Sequence, residues 1–413
     1  MMMKSIDLKA LDAEDTLNSL KKEFYQPDGV IYLDGNSLGM MPRIAAQRVQ
    51  EVTRQQWGHD LITSWNKHQW IDLPQKVGDR IGGLIGAAPG QTVCCDSISV
   101  NLFKVLASAL RLRPGKTKIV STEDNFPTDL YMVQGLEALL GESQCHLKLV
   151  NEAELAQAID EQTVAVLVTE VNFRTGRRLD IEELCAAAHN AGALCIVDLA
   201  HSTGVLPVAL DNWQVDFAVG CTYKYLNGGP GAPAFVYAAK RHQHAMQQPL
   251  YGWMGHSNGF TFSPQYQPAD SIQQMLVGTP AIIAMSAVDA ALDVYDKTSI
   301  SAIRQKSMKM TEVFLKLLAL SAPCRELRCI SPQAAEERGS QLSFEFDHAW
   351  GVCQALIKSD IIADFRAPCY LRFGFSPLYN SFQQLGEVVS ELEQIMHEKR
   401  YLKPEFQTRH KVT

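Results

Sequence analysis

Between Arg80 and Ala238 short apolar runs alternate with stretches of helical periodicity. The runs TVCC (92–95), KIVST (118–122), HLKLV (146–150), TVAVLVTE (163–170), ALCIVD (193–198), VDFAVGC (215–221) and APAFVYA (232–238) read as strands. Of the helical patterns between them, DIEELCAAAHNAG (180–192) is the clearest. Asp180 stands at its N-cap, Glu183 three residues on as in a capping box, and Gly192 past its end. This alternation predicts a largely parallel sheet wrapped by helices, because parallel neighbours need crossover connections.

After about Ala281 the pattern changes to long amphipathic helices, IIAMSAVDAALDVYD and SISAIRQKSMKMTEVFLKLLALS. Strand candidates SQLSFEFD (340–347) and CYLRFGF (369–375) follow, and then a last helix, SFQQLGEVVSELEQIMHEKR, that Ser381 can cap. The expectation is an α/β protein in three parts: an N-terminal arm over 1–45 packing on the small domain, a large domain over 46–290, and a smaller α+β domain over 291–413. The tail KPEFQTRHKVT reads as frayed.

At 413 residues, with 46% hydrophobic and 20% charged positions, the chain has an ordinary globular composition and ample core-forming residues. A formal charge of −7 without a long Lys/Arg block offers no footprint for nucleic acid or an anionic membrane, which points to a small-molecule substrate. No signal-peptide pattern opens the chain and no membrane-length apolar run occurs, so a cytoplasmic location is expected. Ten cysteines never form CxxC and read as buried reduced thiols, with no metal site. His242 and His244 in RHQHAM read as a solvated surface stretch.

Chemistry concentrates between Val197 and Gly231. Asp198 closes one apolar run and Lys224 follows another, 26 residues on. Ligands of such sheets sit at the strands' carboxyl ends. A lysine amine and an acidic group there suit pyridoxal phosphate, the amine forming a Schiff base and the carboxylate keeping the ring nitrogen protonated. Asp198 also reads as a cap for the turn LAHS, and His201 as either a cofactor contact or a partner for a backbone carbonyl. Ile98, through its amide, and Ser99 begin a helix whose N-terminus could cradle a phosphate, although an ordinary N-cap has the same pattern. Phe126 and Asp129 in STEDNFPTD read on pattern alone as a loop phenylalanine and a turn aspartate; stacking on the cofactor ring and a second carboxylate beside it are the functional alternatives. Arg372 suits the α-carboxylate of an amino acid, or an interdomain salt bridge.

The segments YLDGNSLGMMP (32–42), SISVNLFK (97–104), NFPTD (125–129), VDLAHS (197–202), CTYKYLNGGPG (221–231), YGWMGH (251–256), VGTP (277–280) and FRAPCYLRFGFSPLYNSF (365–382) together resemble kynureninases, in order and over almost the whole chain. The resemblance implies fold type I of the pyridoxal-phosphate-dependent transferases. It also implies a homodimer with active sites at the subunit interface, and hydrolysis of L-kynurenine, with its 3-hydroxy derivative as a second candidate, to the anthranilate and L-alanine in tryptophan catabolism. Carried over by position, Lys224 is the Schiff-base residue, Asp198 the ring-nitrogen partner, and Phe126 the stacking ring with Asp129 alongside. Ile98 and Ser99 hold the phosphate with help from Tyr223, which is also the candidate acid near the substrate carbonyl. Thr169, His201, Trp253 and Thr279 match further cofactor positions, the last two reaching the partner subunit's phosphate, and Arg372 takes the substrate carboxylate. Competing readings are a related β-lyase such as a cysteine desulfurase, for which Cys324 is the one loosely placed nucleophile, and a cofactor-binding protein without catalysis.

Overall fold

The structure, a computed structural model, describes residues 6–409. A seven-stranded sheet forms its centre: Thr92–Cys94 (β1), Lys118–Thr122 (β2), His146–Val150 (β3), Thr163–Thr169 (β4), Leu194–Asp198 (β5), Phe217–Gly220 (β6) and Phe235–Ala238 (β7). The spatial order is β1-β7-β6-β5-β4-β2-β3. β7 runs antiparallel to β1 and β6, and every other neighbouring pair is parallel. Each expected strand is present within a few residues of its sequence bounds.

The central strands lack polar alternation because both faces are covered. Val166 and Val168 of β4 join Cys195 and Val197 of β5 in one apolar cluster, while Ala165, Leu167, Leu194 and Ile196 join a second cluster on the opposite face. Each buried valine, leucine or isoleucine contributes about 1.5–3 kcal/mol against leaving it exposed. Helices Ile98–Leu112 (α1), Pro127–Leu140 (α2) and Ile181–Asn190 (α3) follow strands β1, β2 and β4. Asp180 caps α3 as expected, accepting the Glu183 N–H at 3.0 Å.

Four antiparallel strands form a second sheet: Arg328–Cys329 (β8), Gln341–Glu345 (β9), Asp364–Arg366 (β10) and Tyr370–Gly374 (β11), ordered β10-β11-β9-β8. Its core gathers Phe314, Phe344, Phe373 and Phe375. The beginning of the chain is built into this layer. Ile31–Tyr32 pairs in parallel with Ile361–Ile362, and Asp12 accepts the Phe382 and Gln383 N–H groups at the start of the helix Phe382–His397 (α4). Ser381 caps that helix, and Gln384 completes a capping box.

Two surface readings are corrected. His242 is buried, stacked on Phe217, and donates to Asp216 at 2.6 Å; only His244 is exposed. Asp216 also accepts from His189, from Arg241 and from the Cys195 N–H, so a buried acid, remote in sequence, draws this stretch inward. The tail forms a turn at Pro404–Phe406 that buries Phe406 in the C-terminal core, while residues 410–413 lie outside the described residues. Eight of the ten cysteines are buried, and Cys329 and Cys369 are half-buried.

Candidate active site

Three strand ends and one helix start converge on a cavity of about 200 Å³. Asp198 is the last residue of β5 and Thr169 the last of β4, and their register places them side by side. Lys224 stands in the loop after β6, and α1 brings Ile98 and Ser99 in its first turn. All five line the cavity together with Phe126, Asp129, His201 and Tyr223. Ser97 is the N-cap of α1, its hydroxyl accepting the Val100 N–H at 3.3 Å, and it also borders the cavity. The helix thus presents its first-turn amides to whatever the cavity holds.

The loop carrying Lys224 is held from behind. Gly39 donates its N–H to the Tyr223 carbonyl at 2.7 Å, and a Cβ at Gly39 would collide with the carbonyl of Lys224, so that approach requires glycine. The Lys224 amine lies 5.9 Å from the centre of the Phe126 ring and 6.0 Å from that of Tyr223. Phe126 packs edge-on against Phe173 at 5.3 Å.

Electrostatically the cavity is short of positive charge. Asp198 and Asp129 are both buried, and both carboxyls are pushed up. For Asp198, burial raises it to about 6 against the pull of Lys224 and of the Ala200 N–H, which it accepts at 2.6 Å. For Asp129, burial and then the charge of Asp198 push in the same direction. Asp129 Oδ2 lies 3.3 Å from the Thr169 hydroxyl, while Oδ1 is buried without a partner. Two acids facing one lysine and one orphaned oxygen fit a ligand with a cationic ring nitrogen at one end and an anion for the helix start at the other. Pyridoxal phosphate has that charge pattern. Burial, then Cys221 and Asp198, push the Tyr223 phenol above its ordinary range, and burial, then Lys224 and Arg372, push the His201 imidazole well below its own.

Three expected residues lie outside the cavity lining. Trp253 and Thr279 are exposed, and Thr279 instead borders an apolar groove of about 1090 Å³ with Met41, Trp57, Pro230 and Ile283. Arg372 is 1% exposed; its guanidinium pairs with Asp364 through Nε at 2.8 Å and through Nη2, and Nη1 donates to the Phe173 carbonyl. The observed ion pair therefore runs between adjacent strands of one sheet, where Asp364 and Arg372 are in register.

Sequence reasoning missed Asp364, Phe173, Gln341 and Asp34. Asp364 and Arg372 are equidistant from Pro368, the signal of a cross-strand pair. Asp34 is pushed up to about 7 by burial and by Asp364. Cys324, the loosely placed thiol a desulfurase would need, is 3% exposed in the C-terminal core, which corrects that placement.

Two family models match: the kynureninase C-terminal domain over residues 303–392 and the Cys/Met metabolism PLP-dependent enzymes over residues 91–265. The kynureninase of Burkholderia pseudomallei (strain 1106a) is 47% identical over 409 residues, 98% of each chain. That of Pseudomonas fluorescens is 44% identical over 412 residues, 98% of this chain and 99% of the other. Among solved structures, the apo cysteine desulfurase of Thermococcus onnurineus NA1 superimposes with a TM-score of 0.77 at 19% identity, over 96% of this chain and all of the other, a likeness of fold. With the motifs, the cavity and the full-length relatives in agreement, the chain belongs to the kynureninase family.

Proposed function

We infer that this chain hydrolyses L-kynurenine to anthranilate and L-alanine, with pyridoxal phosphate as cofactor. The observation that carries the reading is the convergence of Lys224, the Asp198–Asp129 pair and the start of α1 on one cavity in a chain of this family. Bound there, the cofactor supplies an aldehyde for amine exchange and a ring that accepts electrons released at the substrate Cα.

The residues divide the remaining work. Lys224 would hold the cofactor covalently, and its amine, when free, would take the substrate Cα proton. Asp198 would keep the proton on the ring nitrogen, with Asp129 adding a second carboxylate, and Phe126 would supply an aromatic face for the ring. The amides of Ile98 and Ser99 would hold the phosphate with Tyr223, and Thr169 and His201 would complete the contacts. Burial leaves the Tyr223 phenol protonated, ready to donate near the substrate carbonyl. Arg372 receives the substrate carboxylate: Asp364 and Phe173 occupy three of its five N–H groups, and one on each Nη is left for a second anion.

The chain is further proposed to divide at 1–45, 46–290 and 291–413, and to work as a cytoplasmic homodimer without nucleic-acid or membrane partners. The groove beside the Lys224 loop supports the dimer: Trp57 is 59% exposed there and Ile283 38%. Trp253 and Thr279 would then serve the partner subunit's phosphate. No helix among the described residues is long and apolar enough to cross a membrane.

The test is a product assay on purified enzyme with L-kynurenine and its 3-hydroxy derivative, following anthranilate fluorescence and alanine release. Lys224→Ala is expected to lose turnover together with the near-visible absorbance of lysine-linked cofactor. Persistence of that absorbance overturns the assignment of Lys224, and a wild-type holoenzyme that cleaves neither substrate overturns the reaction.

A further inference from the structure

Gln341 opens β9 and is 1% exposed. Its side-chain amide joins three distant parts of the chain. Nε2 donates to the Phe173 carbonyl at 3.0 Å, while Oε1 accepts from Asn36 Nδ2 at 3.3 Å and lies 3.0 Å from His201 Nδ1. The chemistry fixes the orientation. A backbone carbonyl only accepts, so the Gln341 atom facing Phe173 must be the amide nitrogen, which turns its oxygen toward His201. That oxygen also only accepts, so His201 must carry a hydrogen on Nδ1.

Whether Nε2 carries one as well depends on the charges around the ring. His201 is buried, and Lys224, Arg372 and Arg366 repel further positive charge on it; the carboxyls of Asp198 and Asp129 line the same cavity, and both interact with Lys224. Burial and the repulsion of those cations outweigh the Gln341 hydrogen bond, which offers a second proton a dipole and no counter-charge. The ring is neutral, and Nε2 keeps its lone pair.

We propose that Gln341 is a positioning residue for the active site, fixing His201 as the Nδ1–H tautomer so that the ring offers the cavity an acceptor instead of a donor. Lys224, Tyr223 and Ser99 all bring donors to this cavity, where Asp129 Oδ1 is buried without one. A neutral acceptor suits a hydroxyl or N–H group of the bound ligand. The same amide steadies the Phe173 carbonyl that Arg372 also grips, so ring tautomer and carboxylate-binding arginine share one support.

The inference rests on the cavity being the catalytic site, yet its test needs no turnover, so a failed product assay and a wrong tautomer are separate results. Histidine-selective nitrogen-15 NMR on the holoenzyme distinguishes pyrrole-type from pyridine-type ring nitrogens, and a His201→Gln variant identifies the signal among the 11 histidines. The expected wild-type pattern is a protonated Nδ1 and a bare Nε2, unchanged between about pH 5 and 8. Gln341→Glu places a carboxylate against the ring and removes the donor to Phe173. His201 should then become an imidazolium at neutral pH, and kcat/KM should gain an ionisation in that range, whereas a loss of packing alone would lower the rate equally at every pH. A wild-type His201 with hydrogen on Nε2, or a ring signal unmoved in Gln341→Glu, overturns the proposal. If that variant fails to fold, the wild-type spectrum alone decides.

Discussion

Replacing Asp198 with asparagine should stabilise the protein without its cofactor while weakening the enzyme. Burial holds the Asp198 carboxyl at about 6, against an ordinary 3.8. Two pH units at about 1.4 kcal/mol each amount to roughly 3 kcal/mol charged against the folded state once the group is ionised. The sign follows from linkage. Below about pH 4 the carboxyl is protonated both folded and unfolded, and the cost is absent. It grows as pH rises toward 6, because the unfolded chain releases its proton first, and is complete above that. Asparagine keeps the shape and the acceptor for the Ala200 N–H without the charge. At about 2 cal/mol/K of unfolding entropy per residue, 3 kcal/mol corresponds to about 3–4 °C for a chain of this length. Thermal unfolding of cofactor-stripped Asp198→Asn at about pH 8 should therefore run a few degrees above wild type, with the gap closing toward pH 4. Pyridoxal phosphate should raise the melting temperature less in the variant, because the anionic partner proposed for the ring nitrogen is gone. A stripped variant no more stable than wild type at about pH 8 would refute the reasoning, since Lys224 would then already neutralise the buried acid.

Asp364→Asn leaves the Arg372 guanidinium buried without its counter-ion; a loss of about 3–5 kcal/mol is expected in denaturant titrations, and an added carboxylate product such as alanine should restore more stability to this variant than to wild type. An unchanged unfolding midpoint would count against the pairing. For Asp216, burial pushes the carboxyl up, but donation from His189, His242 and the Cys195 N–H outweighs it and holds it below the ordinary range. Its contribution is present above the unfolded carboxylate pKa and fades as pH falls through the lower folded value. Asp216→Asn should cost about 2–4 kcal/mol near neutrality and flatten the acid limb of the stability profile.

The seven strands were legible because burial on both faces writes itself as uninterrupted apolar runs, and the common location of Asp198 and Lys224 was legible because each follows such a run. Gln341 was not. A glutamine at the start of a half-polar strand looks like any surface residue, and its meaning comes from Asn36, Phe173 and His201, none of them near it in sequence. His242 failed for the same reason: RHQHAM reads as polar until Asp216 on an adjacent element supplies its partner. Arg372 was found as a buried cation in need of an anion, but the anion present, Asp364, required a strand register. Trp253 and Thr279 came from family resemblance alone, and they lie outside this chain's own cavity lining.

The clasp of Gly39 on the Lys224 loop, and of Asn36 on Gln341, has a consequence for how the enzyme is made. A ribosome that has delivered the central sheet has already supplied Lys224 and Asp198, but Gln341 and Arg372 are still to be translated. Such a nascent chain could assemble the scaffold, yet the lysine proposed to hold the cofactor would stand in a half-walled site until Gln341 returned to meet Asn36. Chemical competence thus arrives as one of the last acts of biosynthesis, when long-range closure is complete.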